Sequence, residues 1–278
     1  MMERIADYET LYLDRIADGV ARLTLNRPHQ GNGVVPELIR DILDCFDRLD
    51  ADLGMRVLVL TGAGKTFCAG ADLGAMKRYL DERMMIEEEP FNARLLGPVS
   101  PRLRSLRIPT IAALNGAATA GGFDLALACD MRIAARSAKL GETYIKLGLA
   151  PGNGGAYLLP RLVGSGVAAE LAFTGDLLTA ERAHALGIVN HVVEDGALEA
   201  ETLTLASRIA GWSRKALEAT KHLLRSSWDV DFAASMSASY WATSTLQYGA
   251  DFREGVEAAL EKRMPVYNQK DQPAAAGK

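Results

Sequence analysis

Cysteine is scarce in this sequence, with three residues among 278, and the three lie far apart in the chain. They are Cys45, Cys68 and Cys129. An odd number of cysteines among apolar neighbours does not suit a disulfide framework and is typical of buried thiols in a reducing compartment. We therefore expect no disulfide bond.

Histidine is also scarce, and its spacing does not suit a metal site. The four histidines are His29, His184, His191 and His222. Neither C-x-x-C nor H-E-x-x-H occurs, and these are the common spacings for zinc. We expect no bound metal ion.

No sign of charge dominates, because 31 lysines and arginines balance 35 acidic residues without a basic run. This argues against nucleic acid as a partner. The chain also lacks an apolar stretch long enough for a signal peptide or a bilayer crossing, so we expect a cytoplasmic protein without a membrane partner. At this length one large domain, or a domain with an appendage, can bury a substantial core.

Two glycine-rich segments resemble catalytic motifs but do not match them. Residues 62–66 end in Gly-Lys-Thr, like a phosphate-binding P-loop. The first glycine of that motif would fall at Val59, which lies inside a predicted strand. Residues 164–166 read Gly-Ser-Gly, whereas a nucleophile elbow needs its glycines two positions from the serine. These mismatches argue against a P-loop enzyme and a serine hydrolase.

Turn and periodicity signals define the first elements. Residues 11–16 and 20–25 flank an Asp-Gly turn and predict a β-hairpin. Apolar side chains recur at helical spacing over residues 36–51. The run RVLVLT at residues 56–61 predicts a strand that is covered on both faces.

The most informative feature is a repeated order of strand, small-residue loop, Ala-Gly, acid and Leu. The first copy extends over residues 56–73 and the second over residues 110–125. Further strands are predicted at residues 131–135 and 187–193. Successive units of strand and helix indicate an α/β core.

Two regions depart from this repeat. Residues 76–106 predict a helical excursion, whose methionines either line an apolar pocket or simply pack; they are Met76, Met84 and Met85. From about residue 197 the pattern is helical throughout, and its aromatic side chains suit a core or a subunit interface equally.

Residues 111–130, IAALNGAATAGGFDLALACD, allow two interpretations. Glycines before a helix start let backbone N–H groups hold an oxyanion, and Asp124 in the first turn would lie beside it. A tight strand-to-helix turn packed in a core has the same composition, and an Asp there is favoured by the helix dipole alone.

Five motifs, in this order, resemble the enoyl-CoA hydratase/isomerase (crotonase) superfamily. They are LTLNRP, VLVLTGAGKTFCAGADL, IAALNGAATAGGFDLALACDMRIAA, IKLGLAPGNGGAYLLPRLVG and LTAERAHALGIVNHVV. The resemblance implies a crotonase-like α/β fold, a spiral of repeated ββα units over residues 1–196. It also implies a helical oligomerisation region over residues 197–278, a homotrimer or a hexamer made of two trimers, and an acyl-CoA thioester substrate without a further cofactor.

The resemblance also assigns a site. Backbone N–H groups of Ala71 and Gly121 would bind the thioester oxygen as an oxyanion hole, where one donor is typically worth ~100- to 1,000-fold in rate. The substrate's CoA would lie along small and polar residues near these donors, with basic residues near its phosphates. The candidates are Arg27, Ala69, Gly70, Asp72, Leu73, Lys77 and Gly122.

The acids depart from the hydratase pattern, which has two glutamates. Asp124 occupies the first glutamate position and Tyr144 the second. If residues 140–145 are extended, Glu142 and Tyr144 share a face and Thr143 points away. Asp124 and Glu142 would then act as an acid–base pair, with Tyr144 holding a water or the acyl chain. Alternatively, Glu142 is solvated and Tyr144 is a pocket wall.

Three functions follow as hypotheses. The first is hydration of a 2-enoyl-CoA. The second is another reaction of the same enolate, either double-bond isomerisation or hydrolysis. A further acid of the dienoyl-CoA isomerase branch corresponds here to Gly152, so isomerisation ranks below hydration. The third hypothesis is an acyl-CoA binding protein with little catalysis.

Overall fold

The computed structural model describes residues 2–81 and 97–269. In these residues the strands are β1 (Glu3–Asp7), β2 (Leu11–Ala17), β3 (Val20–Leu25), β4 (Val57–Gly62), β5 (Thr66–Cys68), β6 (Thr110–Leu114), β7 (Ala117–Thr119), β8 (Met131–Ala135), β9 (Lys139–Gly141), β10 (Leu178–Thr179) and β11 (His191–Val193).

The same residues form these α-helices: α1 (Pro36–Ala51), α2 (Leu73–Asp81), α3 (Val99–Ser105), α4 (Gly121–Ala128), α5 (Gly155–Val163), α6 (Ser165–Thr174), α7 (Ala180–Ala185), α8 (Leu198–Ala210), α9 (Arg214–Ser226), α10 (Phe232–Leu246) and α11 (Ala250–Glu261). Short 3₁₀ helices occupy Pro28–Gln30, Thr143–Leu147 and Asp195–Ala197.

Two sheets carry the repeat that the sequence predicts. The larger sheet has the order β1-β2-β3-β4-β6-β8-β11, and the smaller one has the order β10-β9-β7-β5. From β3 onward the larger sheet is parallel. The chain therefore passes from a strand of the large sheet to one of the small sheet and then to a helix, as in β4-β5-α2 and β6-β7-α4. This arrangement confirms the predicted α/β fold of ββα units.

Most predicted elements of the N-terminal half are present. The hairpin forms between β2 and β3, with Gly19 at φ +67° in its turn, and α1 has the predicted bounds. The last predicted strand, residues 187–193, is too long, because only His191–Val193 pairs. Ile188 and Val189 instead donate to the carbonyl of Ala183 and so close the end of α7.

The large sheet is covered on both faces. Val57 and Val59 of β4 face a cluster that includes Leu198 and Ala206 of α8, whereas Leu58 points into the main core with α1. This alternation explains why the strand is apolar throughout. The three cysteines lie free and buried, as predicted, and burial raises the pKa of Cys68 to about 11.

Residues 198–261 form the helices α8 to α11, as predicted, whereas residues 262–269 are not helical. The sheet packs against α8, whereas α10 has no buried residue. In the segment 76–106, α2 and α3 are helical at either end. The predicted pocket residues Met84 and Met85 lie outside the described residues. In the part of the chain that the structure covers, no helix is both long and apolar enough to span a bilayer.

A buried lysine fastens α9 to the core. Lys221 is 6% exposed, and its Nζ donates to the carbonyl of Ile108 at 2.9 Å and pairs with Asp130 at 2.8 Å. Asp130 in turn accepts bonds from the backbone and hydroxyl of Thr110 at the start of β6. Loss of the lysine removes the cation that pairs with Asp130 and the donor to the carbonyl of Ile108.

We expect Lys221→Met to lower the free energy of unfolding by about 2–4 kcal/mol, because breaking a buried pair leaves an uncompensated charge. The loss stays in this range because Asp130 is partly exposed and water can solvate part of its charge. Urea unfolding monitored by circular dichroism measures the change. Arg40→Ala serves as the control, because its pair with Glu37 is exposed and such pairs contribute at most about 1 kcal/mol. Equal losses in the two variants would contradict this role of Lys221.

Candidate active site

A cavity of about 520 Å³ opens between the loops that follow β5 and β7 and the chain after β9. Its lining combines small residues from the first two loops with polar and apolar side chains from the third segment. The lining residues are Gln30, Val34, Ala69, Ala71, Asp72, Leu73, Gly74, Met76, Ala120, Gly121, Thr143, Tyr144, Lys146, Leu147, Leu149 and Asn153.

The N–H of Ala71 points away from the chain segment beside it. The residues on either side of Ala71 bond to Val34. The carbonyl of Gly70 accepts from Val34 N–H at 2.8 Å, and Asp72 N–H donates to the carbonyl of Val34 at 3.1 Å. In a trans peptide the N–H points opposite to the carbonyl, so Ala71 N–H points away from Val34. Within residues 2–81 and 97–269 it has no acceptor.

The N–H of Gly121 is directed out of the start of α4. The carbonyl of Ala120 accepts from Phe123 and Asp124 and therefore points into the helix, so the N–H of the same peptide group points outward. Ala120 adopts φ 47° and ψ −122°, a conformation that costs a non-glycine residue about 1–3 kcal/mol. No described residue accepts a bond from Gly121 N–H, and strain of this kind is concentrated at functional sites.

Two glycines bring these donors together. Gly70 has φ +87°, and a Cβ there would lie 3.0 Å from the carbonyl oxygen of Thr119 and 3.2 Å from the nitrogen of Gly121. A Cβ on Gly122 would overlap the carbonyl of Cys68. Both glycines lie behind the cavity wall rather than in it. They permit the approach of the two loops.

An acid and its two partners lie beside the donors. Asp124 of α4 is fully buried. Its Oδ2 accepts from the hydroxyl of Tyr144 at 2.6 Å and from the backbone N–H of Asn153 at 3.1 Å. The side-chain amide of Asn153 donates to the Tyr144 hydroxyl at 2.7 Å. Because Tyr144 and Asn153 line the cavity and Asp124 does not, the hydroxyl of Tyr144 connects the acid to the cavity.

Glu142 lies behind this group and is only 1% exposed, so the alternative of a solvated residue is wrong. It packs with Asp124 against the Cα of Gly155, where a Cβ would overlap an oxygen of each acid. The expected extended conformation of residues 140–145 is also wrong. The strand β9 ends at Gly141 and a 3₁₀ helix begins at Thr143, so Thr143 lines the cavity instead of pointing away from it.

Burial changes the protonation of this group. It raises the pKa of Asp124, while hydrogen bonds from Tyr144 and Asn153 act in the opposite direction. Burial and then the neighbouring Asp124 raise the pKa of Glu142 to about 10. Burial, followed by the charge of Asp124, also raises the pKa of Tyr144, so the phenol is a neutral donor.

The basic candidates for CoA binding already have acidic partners. Arg27 pairs with Asp72 at 2.8 Å and also donates to the carbonyl of Gly33. Asp72 caps the start of α2 through Ala75 N–H at 3.0 Å, and Lys77 pairs with the exposed Asp81. Neither basic residue lines the cavity. Ala69, Asp72 and Leu73 do line it.

Sequence reasoning missed three residues of the site. Lys146 lines the cavity, Asn153 bonds to both Asp124 and Tyr144, and Gly155 makes room for the two acids. Asn153 and Gly155 lie in the motif IKLGLAPGNGGAYLLPRLVG, which the family resemblance used without assigning either residue a role. In the described parts of the chain, no group of three His, Cys, Asp or Glu side chains could hold a metal ion.

The enoyl-CoA hydratase/isomerase family profile matches residues 15–270. The crotonyl-CoA hydratase of Syntrophomonas wolfei is 36% identical over 258 residues, which cover 92% of this chain and 96% of that protein. The 1,2-epoxyphenylacetyl-CoA isomerase of Escherichia coli is 37% identical, with 93% and 98% covered.

A solved structure shows the same fold. The crystal structure of an enoyl-CoA hydratase from Bacillus anthracis superposes with a TM-score of 0.89 at 33% identity, covering 94% of this chain and all of that one. The profile match extends over most of the chain, and the two relatives match it nearly end to end. The chain therefore belongs to the enoyl-CoA hydratase/isomerase family.

Proposed function

We propose that this enzyme adds water to the double bond of a 2-enoyl-CoA thioester. Ala71 N–H and Gly121 N–H hold the thioester oxygen and stabilise the enolate that forms when a nucleophile attacks C3. Two preorganised donors in a buried site suit this task, because they need no reorganisation as charge develops. The CoA portion extends along Ala69, Asp72 and Leu73 at the cavity wall, and the reaction uses no further cofactor.

Asp124 serves as the base and then as the acid, with Tyr144 as the proton carrier. As the oxygen of water bonds to C3, its proton passes to the Tyr144 hydroxyl oxygen and the phenolic proton passes to Asp124 Oδ2. The electrons of the double bond move onto the thioester oxygen. The proton then returns through Tyr144 to C2, and the thioester carbonyl reforms. The 2.6 Å bond between Tyr144 and Asp124 makes this transfer direct.

The observation that supports hydration is the free acceptor on Asn153. This side chain is 7% exposed and lines the cavity, and its Oδ1 has no partner among the described residues, whereas its Nδ2 is bonded to Tyr144. A buried acceptor without a partner is unfavourable unless a polar molecule binds to it. Water held between Asn153 Oδ1 and the Tyr144 hydroxyl would lie next to the proton carrier.

Double-bond isomerisation is the second candidate. Tyr144 replaces the second glutamate that the family resemblance implies, which leaves Asp124 as the carboxylate in contact with the proton carrier. Double-bond isomerisation requires only one base, which removes a proton from one carbon and returns it to another. The same oxyanion hole serves both reactions.

We expect Asp124→Asn to lower kcat for crotonyl-CoA hydration about 100- to 10,000-fold, because the amide cannot accept the proton. Loss of absorbance of the conjugated thioester measures the rate. Asp47→Asn, on the exposed face of α1, is the matched control and should retain full activity.

Asn153→Ala separates the two candidates when crotonyl-CoA and 3-enoyl-CoA are both supplied. Hydration should fall, since the water loses its acceptor, while any 1,3-proton transfer through Tyr144 and Asp124 should persist. Wild-type protein that is folded and binds acyl-CoA but turns over no 2-enoyl-CoA of any chain length would contradict hydration.

We also propose that the helices from α8 onward join copies of the chain into a trimer or a hexamer. The support is α10, which has no buried residue and exposes 80% of Phe232, 68% of Tyr240 and 67% of Trp241. Large aromatic side chains that are exposed in this way are typical of an interface.

We expect analytical ultracentrifugation to give a mass of three or six chains. The double variant Tyr240→Asp and Trp241→Asp should shift the mass towards one chain, because burying the new charges is unfavourable. Leu53→Asp is the control, since Leu53 is 69% exposed in the turn after α1. A wild-type protein that sediments as a monomer at micromolar concentration would contradict this assembly.

A further inference from the structure

Glu142 is a buried carboxyl group that the proposed proton transfer does not use. It does not line the cavity, and neither of its oxygens has a hydrogen-bonding partner among the described residues. The facing oxygen of Asp124, Oδ1, is also without a partner. Both acids pack against the Cα of Gly155, where a Cβ would overlap Glu142 Oε1 and Asp124 Oδ1, so these two oxygens are neighbours.

Among the residues that the structure describes, no positively charged group acts on Glu142. The titratable groups that act on it are Asp124 from α4 and Tyr144 from the neighbouring 3₁₀ helix, and neither is a cation. From α5 it meets Gly155, which has no side chain. Two ionised carboxylates at this position would repel each other in a medium of low dielectric constant, and no described residue donates a hydrogen bond to Glu142 to offset the repulsion.

A single proton shared by the two acids removes the repulsion between them. Asp124 Oδ2 already accepts from Tyr144 and Asn153, so the ionised form of Asp124 is partly stabilised. Glu142 accepts no bond that would stabilise its ionised form. The proton therefore resides on Glu142, from which it can be donated to the free Oδ1 of Asp124.

We propose that Glu142 is a positioning residue that carries a proton in the resting enzyme and donates it in a hydrogen bond to Asp124, which keeps Asp124 ionised as the base. Its carboxyl group does not touch the substrate. The inference deepens the proposed function and in part rests on it, because Asp124 is the base of that reaction. Glu142 thus takes the place of a cation that would otherwise stabilise the buried Asp124.

Infrared spectroscopy tests the proton on Glu142 without any turnover. At pH 7 the difference spectrum between wild type and Glu142→Gln should contain the carbonyl band of a protonated carboxylic acid, and that band should disappear near pH 10. Absence of the band at pH 7 would overturn the inference. If the band is present but crotonyl-CoA is not turned over, only the proposed function fails.

The pH profile of kcat/KM tests the effect of Glu142 on Asp124. Glu142→Gln keeps a donor to Asp124, so the acid limb of the profile should stay in place. Because the amide does not ionise, the fall in kcat/KM at high pH should disappear. Glu142→Leu removes the donor, so the acid limb should move about one pH unit higher. A residue that only fills space would move neither limb.

Both variants are first compared with wild type by circular dichroism and thermal unfolding. The inference is supported if the Gln variant has the acid limb of the wild type and the acid limb of the Leu variant lies at higher pH. Identical profiles for folded Gln and Leu variants would overturn it.

Discussion

The site depends on the close approach of two loops whose residues have almost no side chains. Gly70 contacts the peptide group before Gly121, and Gly122 packs directly on the carbonyl of Cys68. A single methyl group at Gly122 would overlap backbone rather than a flexible side chain, so the loops would have to separate. The proposed oxyanion hole requires this packing, because its two candidate donors are backbone N–H groups of both loops.

The fold supplies the positions of these loops. Each loop follows a strand of the small sheet, and β5 and β7 are paired in parallel, so their carboxyl ends lie at the same edge. The helix α4 begins at Gly121, one of the two candidate donors, and holds Asp124 in its first turn. Every residue of this helix is buried. The strain at Ala120 directs Gly121 N–H outward. Fold and reaction geometry are thus set by the same few residues.

Local patterns in the sequence were sufficient for much of the scaffold, because the hairpin and α1 have strong turn and periodicity signals. The two candidate donors were assigned by the family resemblance of the Ala-Gly motifs. The sequence analysis also placed Asp124, Glu142 and Tyr144 in one acid–base group, but through an extended segment that the structure does not contain. Glu142 and Asn153 reach Asp124 only because the chain turns into a 3₁₀ helix after β9 and because Gly155 leaves space, and both effects are tertiary.

The central claim is that Ala71 N–H and Gly121 N–H hold a thioester oxygen beside the Tyr144 hydroxyl. A crystal structure with a bound unreactive acyl-CoA tests it most directly. The account predicts the thioester oxygen within hydrogen-bonding distance of both nitrogens and the Tyr144 hydroxyl facing C2 and C3. A thioester bound with its oxygen away from these two nitrogens would contradict the account.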